Sequence, residues 1–182
     1  MLLSISNFDS RMIRIEKVGH EDLAELTSVA KETFIQSHGH NANTADIQLY
    51  LDANYTRDIF KAEINQPNAA YRLLFYKNEM VGYSKIVFDQ PAANVEVKNI
   101  AKLARIYILE AFHGLGLGEE LFNFNMNQAK EKNQAGIWLF TWIENKRAIR
   151  FYEKMGFKII GSHDFRISET HSNPNHQMYL AF

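Results

Sequence analysis

Three glycines within five residues, in the run Phe112-His113-Gly114-Leu115-Gly116-Leu117-Gly118, are the strongest chemical signal in the chain. A glycine inside a helix costs about 1 kcal/mol relative to alanine, so this run is not chosen for helix propensity. Without Cβ atoms, backbone N–H groups can converge on a ligand, and the N-terminus of a following helix adds roughly half a positive charge. Together these make an anion site. The plain alternative is a tight connection with no ligand. Two familiar phosphate motifs fail on spacing. A dinucleotide fingerprint starting at Gly114 needs glycine where Glu119 stands, and one starting at Gly116 needs it where Leu121 stands. The Gly-Lys-Ser/Thr of a P-loop is absent, so neither NAD nor ATP is favoured.

Histidines are the other candidate ligands: His38 and His40 two apart, then His163, His171 and His176. No carboxylate stands beside them at metal-ligand spacing, so no metal is expected. His171 and His176 flank Pro174 among asparagines and read as loop residues ahead of a last strand. Trp138, Phe140 and Trp142 alternate as a strand does, and read as core or cleft lining rather than as a platform for stacking bases.

The elements that must position these residues follow from periodicity. Residues 12–18 alternate as a short strand. Between Glu21 and Ser37 the apolar residues Leu23, Leu26, Val29, Ala30 and Phe34 recur at spacings of three and four, which predicts one buried helical face. His38 to Asn43 reads as a break, with Thr44 capping a second helix to about Asp52 and a short third helix over Arg57 to Asn65. Tyr71 to Tyr76 and Met80 to Asp89, joined by Lys77-Asn78-Glu79, predict a β-hairpin. Leu103 to Leu109 is a strand, the glycines follow, then a helix over Gly118 to Asn133 and a buried strand over Ile137 to Trp142. A last helix, Lys146 to Met155, stops at Gly156, a residue suited to the left-handed C-cap. Phe157 to His163 and Gln177 to Ala181 are the closing strands. The order predicts an α/β chain with a mixed, mostly antiparallel central sheet and helices on both faces.

At the glycine run the sequence fits Arg/Gln-x-x-Gly-x-Gly/Ala in all but its first position, and there the chain resembles the GNAT family of acetyl-CoA dependent N-acetyltransferases. The resemblance extends downstream: Asn145, Ala148, Phe151, Tyr152, Gly156 and Phe157 fill every fixed position of N-x-x-A-x-x-F-Y-x-x-x-G-F. It spans roughly residues 12–182 and looks closest to the bacterial spermine/spermidine acetyltransferase branch. It implies splayed fourth and fifth strands, with backbone groups of Ile106, Tyr107 and Ile108 free to pair with the pantetheine amides of acetyl-CoA. It implies that His113, Gly114, Leu115, Gly116, Leu117, Gly118 and Glu119 hold the pyrophosphate, and that Asn145 contacts the cofactor. Tyr152 is the implied general acid, protonated at neutral pH and able to donate to the departing thiolate.

Departures from the family pattern are informative. Ala104 stands where many relatives carry a glutamate base, leaving Glu96, Tyr107, Glu144 or a water relayed to a backbone carbonyl. The matter has weight, because an amine of pKa near 10.4 is unprotonated at pH 7 only about once in 2,500, a cost of roughly 4.6 kcal/mol. His113 replaces the usual Arg or Gln, and Glu119-Glu120 oppose bound phosphate unless Lys146, Arg147 or Arg150 helps. Residues 20–63 hold eight acids (Glu21, Asp22, Glu25, Glu32, Asp46, Asp52, Asp58, Glu63) against three bases. In the family these helices form one wall of the acceptor cleft, so the expected acceptor is a polycation, spermidine or spermine. A solvated acidic helix face is the alternative reading.

Composition bounds the remainder. The 182 residues are 46% apolar and 23% charged with a formal charge of −1, which suits one globular domain over 1–182 and excludes bulk attraction to nucleic acid. The absence of cysteine excludes a disulfide framework and a cysteine nucleophile, and agrees with a cytoplasmic address. Met1 to Met12 has no signal-peptide pattern and no segment is long enough to span a bilayer, so no membrane partner is expected. The expected partners are acetyl-CoA and a small-molecule amine, with a homodimer allowed by the resemblance.

Overall fold

Alternating apolar residues at either end of the chain, and the stripes of three-and-four spacing between them, assemble into a single seven-stranded sheet with helices on both faces. The computed structural model describes residues 12–39, 43–168 and 171–182. In chain order the elements are β1 (Ile13–Lys17), α1 (Leu23–His38), α2 (Thr44–Asn54), α3 (Arg57–Ile64), β2 (Ala69–Tyr76), β3 (Glu79–Val87) and β4 (Ala101–Ile108). These are followed by α4 (Leu117–Glu131), β5 (Gly136–Trp142), α5 (Lys146–Lys154), β6 (Lys158–Arg166) and β7 (Ser172–Ala181). The sheet order is β1-β2-β3-β4-β5-β7-β6, antiparallel throughout except where β4 meets β5. The hairpin turn is two residues, Lys77 and Asn78, both at positive φ, so Glu79 already belongs to β3.

The two largest apolar clusters lie on opposite sides of the sheet. α1, α2 and α3 pack Leu26, Phe34, Leu51 and Phe60 against Leu73, Met80 and Tyr83. α4 and α5 pack Phe122, Ala129 and Tyr152 against Ile86, Leu103, Ile137 and Met178 on the other. α1 buries the stripe that its spacing predicts, but it runs one residue past the expected end, so His38 is helical rather than part of a break. Gly156, at φ +94, follows α5 as expected. β7 starts at Ser172, so His176 lies on a strand facing Thr141 and Ser162 rather than in a loop; the pairing with β5 and β6 recruits the flanking residues.

A register shift fixes what the middle of the sheet presents. Lys85 lies opposite Arg105 and Ile86 opposite Leu103, so Ala104 is an extra residue on β4. Beyond this bulge, Arg105 and Tyr107 share a face with Lys102, while Ile106 joins Leu103 on the α4 side.

Candidate active site

β4 and β5 pair through only two positions, Ala101↔Ile137 and Lys102↔Trp138, and then part. The opening between them is a cleft of about 630 Å³. From Leu103 onward β4 keeps its hydrogen bonds to β3 but has no ladder toward β5, so its N–H and C=O groups line the gap. An extended polar ligand can dock on such an edge as an added strand.

At the cleft's upper end the glycine run turns into α4. Gly114 and Gly116 stand at φ +84 and +74, and a Cβ built on either meets nothing within 4 Å. Gly116 caps α4, with its carbonyl accepting from the N–H groups of Glu119 and Glu120. The earlier N–H groups of the turn have no intrahelical partner and carry the positive end of the helix dipole. The open cradle therefore fits a phosphate. Leu115 is 37% exposed and lies outside the lining, whereas the other residues of the run from His113 to Glu119 line the cleft.

His113 resolves the charge problem that its presence raises. Its Nδ1 lies 2.6 Å from Arg147 Nη1, and a guanidinium can only donate, so Nδ1 accepts. Nε2 carries the proton and donates to the Ile108 carbonyl at 2.9 Å. The neutral imidazole thus tethers the Arg147 cation beside the loop. Lys146 instead bonds the Ile143 carbonyl at 2.7 Å, and Glu119 lies 3.9 Å from Lys154. Arg147 is the helping base of the three considered that lines the cleft. Gly116→Ala should raise the Kd for coenzyme A at least tenfold in a calorimetric titration. On its own the left-handed backbone costs about 1–2 kcal/mol of stability, so an unchanged Kd alongside that loss would remove the cradle from ligand binding.

α5 brings two more predicted residues to the same cleft. Asn145 caps the helix, its Oδ1 accepting from the Ala148 N–H at 3.0 Å, and it also lines the gap. Tyr152 is 8% exposed and packs against Phe122, Phe151 and Phe157. Burial, reinforced by Tyr107, pushes its hydroxyl well above the ordinary tyrosine value, so it stays protonated through the neutral range.

The opposite wall comes from the other face of the sheet: Lys102, Arg105 and Tyr107 of β4, Phe140 and Trp142 of β5, His163 and Phe165 of β6, Asn175 of β7, and Ser37 and His38 of α1. None of the eight acids of residues 20–63 lines the cleft. Most are exposed, and Glu63 is committed to an ion cluster, accepting from Lys85 Nζ at 2.8 Å, from Arg105 Nη1 at 2.7 Å and from the Tyr71 hydroxyl. Burial pushes the Glu63 carboxyl up, but Arg105, with Lys85 and Tyr71, outweighs it and holds the group below the usual range. Sequence reasoning missed this cluster, since only the strand register shows that Lys85 and Arg105 are neighbours. Of the base candidates, Tyr107 lines the cleft, while Glu96 and Glu144 are exposed and outside the lining. Among the described residues no three potential metal ligands come together; His40 lies outside them.

His38 packs its ring 4.7 Å from Phe34 and 6.2 Å from Phe165, with Nδ1 buried and without a partner among the described residues. Burial drives its pKa down from 6.5 to about 4. Unfolded chains therefore bind this proton between pH 6.5 and 4 while folded ones do not, so the contribution is present above pH 6.5 and lost as pH falls toward 4. Urea unfolding should show a loss of up to about 3 kcal/mol across that window. His38→Leu should abolish that part of the loss; an identical pH profile in the variant would refute the assignment.

The GNAT acetyltransferase family profile matches residues 23–157, the span that carries β4, the glycine run and α5. The chain belongs to the GNAT acetyltransferase family. An uncharacterised N-acetyltransferase from the pepI 3′ region of Lactobacillus delbrueckii subsp. lactis is 30% identical over 158 residues, covering 86% of this chain and 91% of its own. Among solved structures, the PaiA N-acetyltransferase of Thermoplasma acidophilum in complex with coenzyme A superposes with TM-score 0.75 at 21% identity, covering 93% of this chain and 99% of that one. A spermidine N-acetyltransferase mutant of Vibrio cholerae gives TM-score 0.68 at 14% identity, with 94% and 95% covered. That identity shows a shared fold alone. The expectation of a GNAT fold and an N-acetyltransferase is met.

Proposed function

We propose that this GNAT enzyme transfers acetyl from acetyl-CoA to a primary amine by direct attack in a ternary complex. The observation that carries the reading is the meeting, in one cleft, of an unpaired β4 edge, a glycine cradle with Arg147 beside it, and the buried Tyr152. In this reading the backbone of Ile106, Tyr107 and Ile108 binds the pantetheine arm and the turn from His113 to Glu119 takes the pyrophosphate. Asn145 orients the cofactor while it caps α5. Acetyl-CoA supplies the activated acyl group; with no cysteine in the chain, no acetyl-cysteine intermediate forms. Tyr152 donates its proton to the thiolate that leaves.

The amine must lose a proton before it attacks. Glu119, at the phosphate end, is the carboxylate among the described lining residues, and it is exposed beside Lys154. Burial holds the Tyr107 hydroxyl above its ordinary value, against the pull of Arg105, so it too is a poor base, and deprotonation runs through water relayed to strand carbonyls rather than through a dedicated side chain. Spermidine or spermine would need negative charge on the acceptor wall, which instead presents Lys102 and Arg105, so the proposal stops at a primary amine. The test is amine-dependent thiol release over a panel of polyamines, amino acids, aminoglycosides and short peptides. Coenzyme A binding without acetylation of any member would leave only a binding protein.

A further inference from the structure

We infer that the acceptor carries an anionic group, carboxylate or phosphate, held by the ammonium of Lys102 where β4 and β5 part. This rests on the amine-transfer reading and specifies its substrate class. Lys102 belongs to the last paired position between the two strands, lines the cleft, and is only partly exposed. Its Nζ lies 4.8 Å from the Trp138 ring centroid and 5.1 Å from that of Phe140. These rings give a cation partial compensation. Among the described residues, no carboxylate lies within 4.0 Å of it.

The neighbouring carboxylate is already spent. Lys85, Arg105 and Lys102 project from one face of the sheet, and among the described residues Glu63 alone answers them, through Lys85 and Arg105. Lys102 and Arg105 on the wall, with Lys85 and Glu63 behind it, make three cations against one anion, a surplus of positive charge packed among the rings of Trp138, Phe140, Tyr55 and Phe60. Burial, and then the charge of Lys85, disfavour the ammonium of Lys102, a cost that a bound anion reverses. Such a wall repels a polycation and draws an anion.

A second observation points to an amine-bearing ligand. Asn175 is 8% exposed, lines the same wall, and its Oδ1 is buried without a partner among the described residues. An acceptor atom left unpaired just beneath the cleft surface is suited to an N–H donor on the ligand once the amide turns toward the cleft. An amine carrying an anionic group at its other end satisfies both Asn175 and Lys102.

The experiment uses matched pairs with the full chain and acetyl-CoA: amino acids and their amides, phosphoethanolamine and ethanolamine, with spermidine alongside. Anionic members of one or both series should exceed their neutral partners at least tenfold in kcat/KM. Lys102→Gln should bring that ratio near one, chiefly through KM, while Lys102→Arg keeps most of it and both variants keep wild-type coenzyme A affinity and Tm. Equal rates within every pair, spermidine as the best acceptor, or an unchanged ratio in Lys102→Gln would each overturn the inference while leaving amine transfer standing. Coenzyme A binding with no amine acetylated would overturn the transfer reading and this inference together.

Discussion

Replacing Tyr152, the proposed general acid, with phenylalanine should lower kcat by about 10²-fold or more, because loss of a general acid removes a contribution of that size. The substitution is a clean one here. The ring packs against Phe122, Phe151 and Phe157, and phenylalanine keeps all of that contact. The first core, the α5 cap at Asn145 and the Arg147 tether are untouched, so coenzyme A affinity and the unfolding midpoint should stay near wild type. The hydroxyl is held above its ordinary value by burial, so this group should impose no alkaline fall in rate between pH 7 and 9. A single-turnover assay separates the chemical step from product release. A rate equal to wild type would take Tyr152 out of the mechanism, and a collapse in coenzyme A affinity would recast it as a binding residue.

Glu63→Gln should be among the most damaging single changes to stability, at about 3–5 kcal/mol, since removing one partner leaves buried charge uncompensated. The carboxylate joins α3 to three strands at once, through Tyr71 of β2, Lys85 of β3 and Arg105 of β4. Without it, two cations that pack against Tyr55, Phe60 and Tyr71 face each other with no anion between them. Against a typical total of about 5–15 kcal/mol, the loss is large. The side chain of Glu63 retains 18% exposure, which lets water relieve part of the effect and favours the lower end. The sign of the coupling is the sharper test. Adding Lys85→Met and Arg105→Met to Glu63→Leu should recover most of the lost stability, because a whole buried ion cluster can be exchanged for apolar side chains at little cost. Additive losses in urea unfolding would show that the three residues act separately.

Local signals were legible in the sequence and distant ones were not. The glycine run announced its own turn because its conformations favour glycine, and Asn145 and Gly156 marked both ends of α5 through their capping chemistry. The hairpin and the buried stripe of α1 followed from periodicity. The placement of β7 between β5 and β6 did not, because pairing between segments far apart leaves no mark in either one. For the same reason the acids of α1 to α3 read as an acceptor wall, when apart from Glu63 they serve mainly the solvent face. His38 read as loop because His-Gly-His breaks the helical pattern, yet its ring contact with Phe34, one turn earlier, carries α1 onward.

Ala104 has a consequence that its missing carboxylate conceals. As the extra residue of the β4 bulge, it acts as a phase shift in the strand, and upstream and downstream side chains are reassigned between the two surfaces of the sheet. With an unbroken alternation, Lys102 and Arg105 would emerge on opposite sides, one toward the cleft wall and one into the packing under α4. The charge of this cleft wall is thus written in the counting of residues as much as in their identity. Insertion or deletion of a single residue in this strand would change the charge that the cleft presents, a route that a residue-by-residue comparison of side chains would miss.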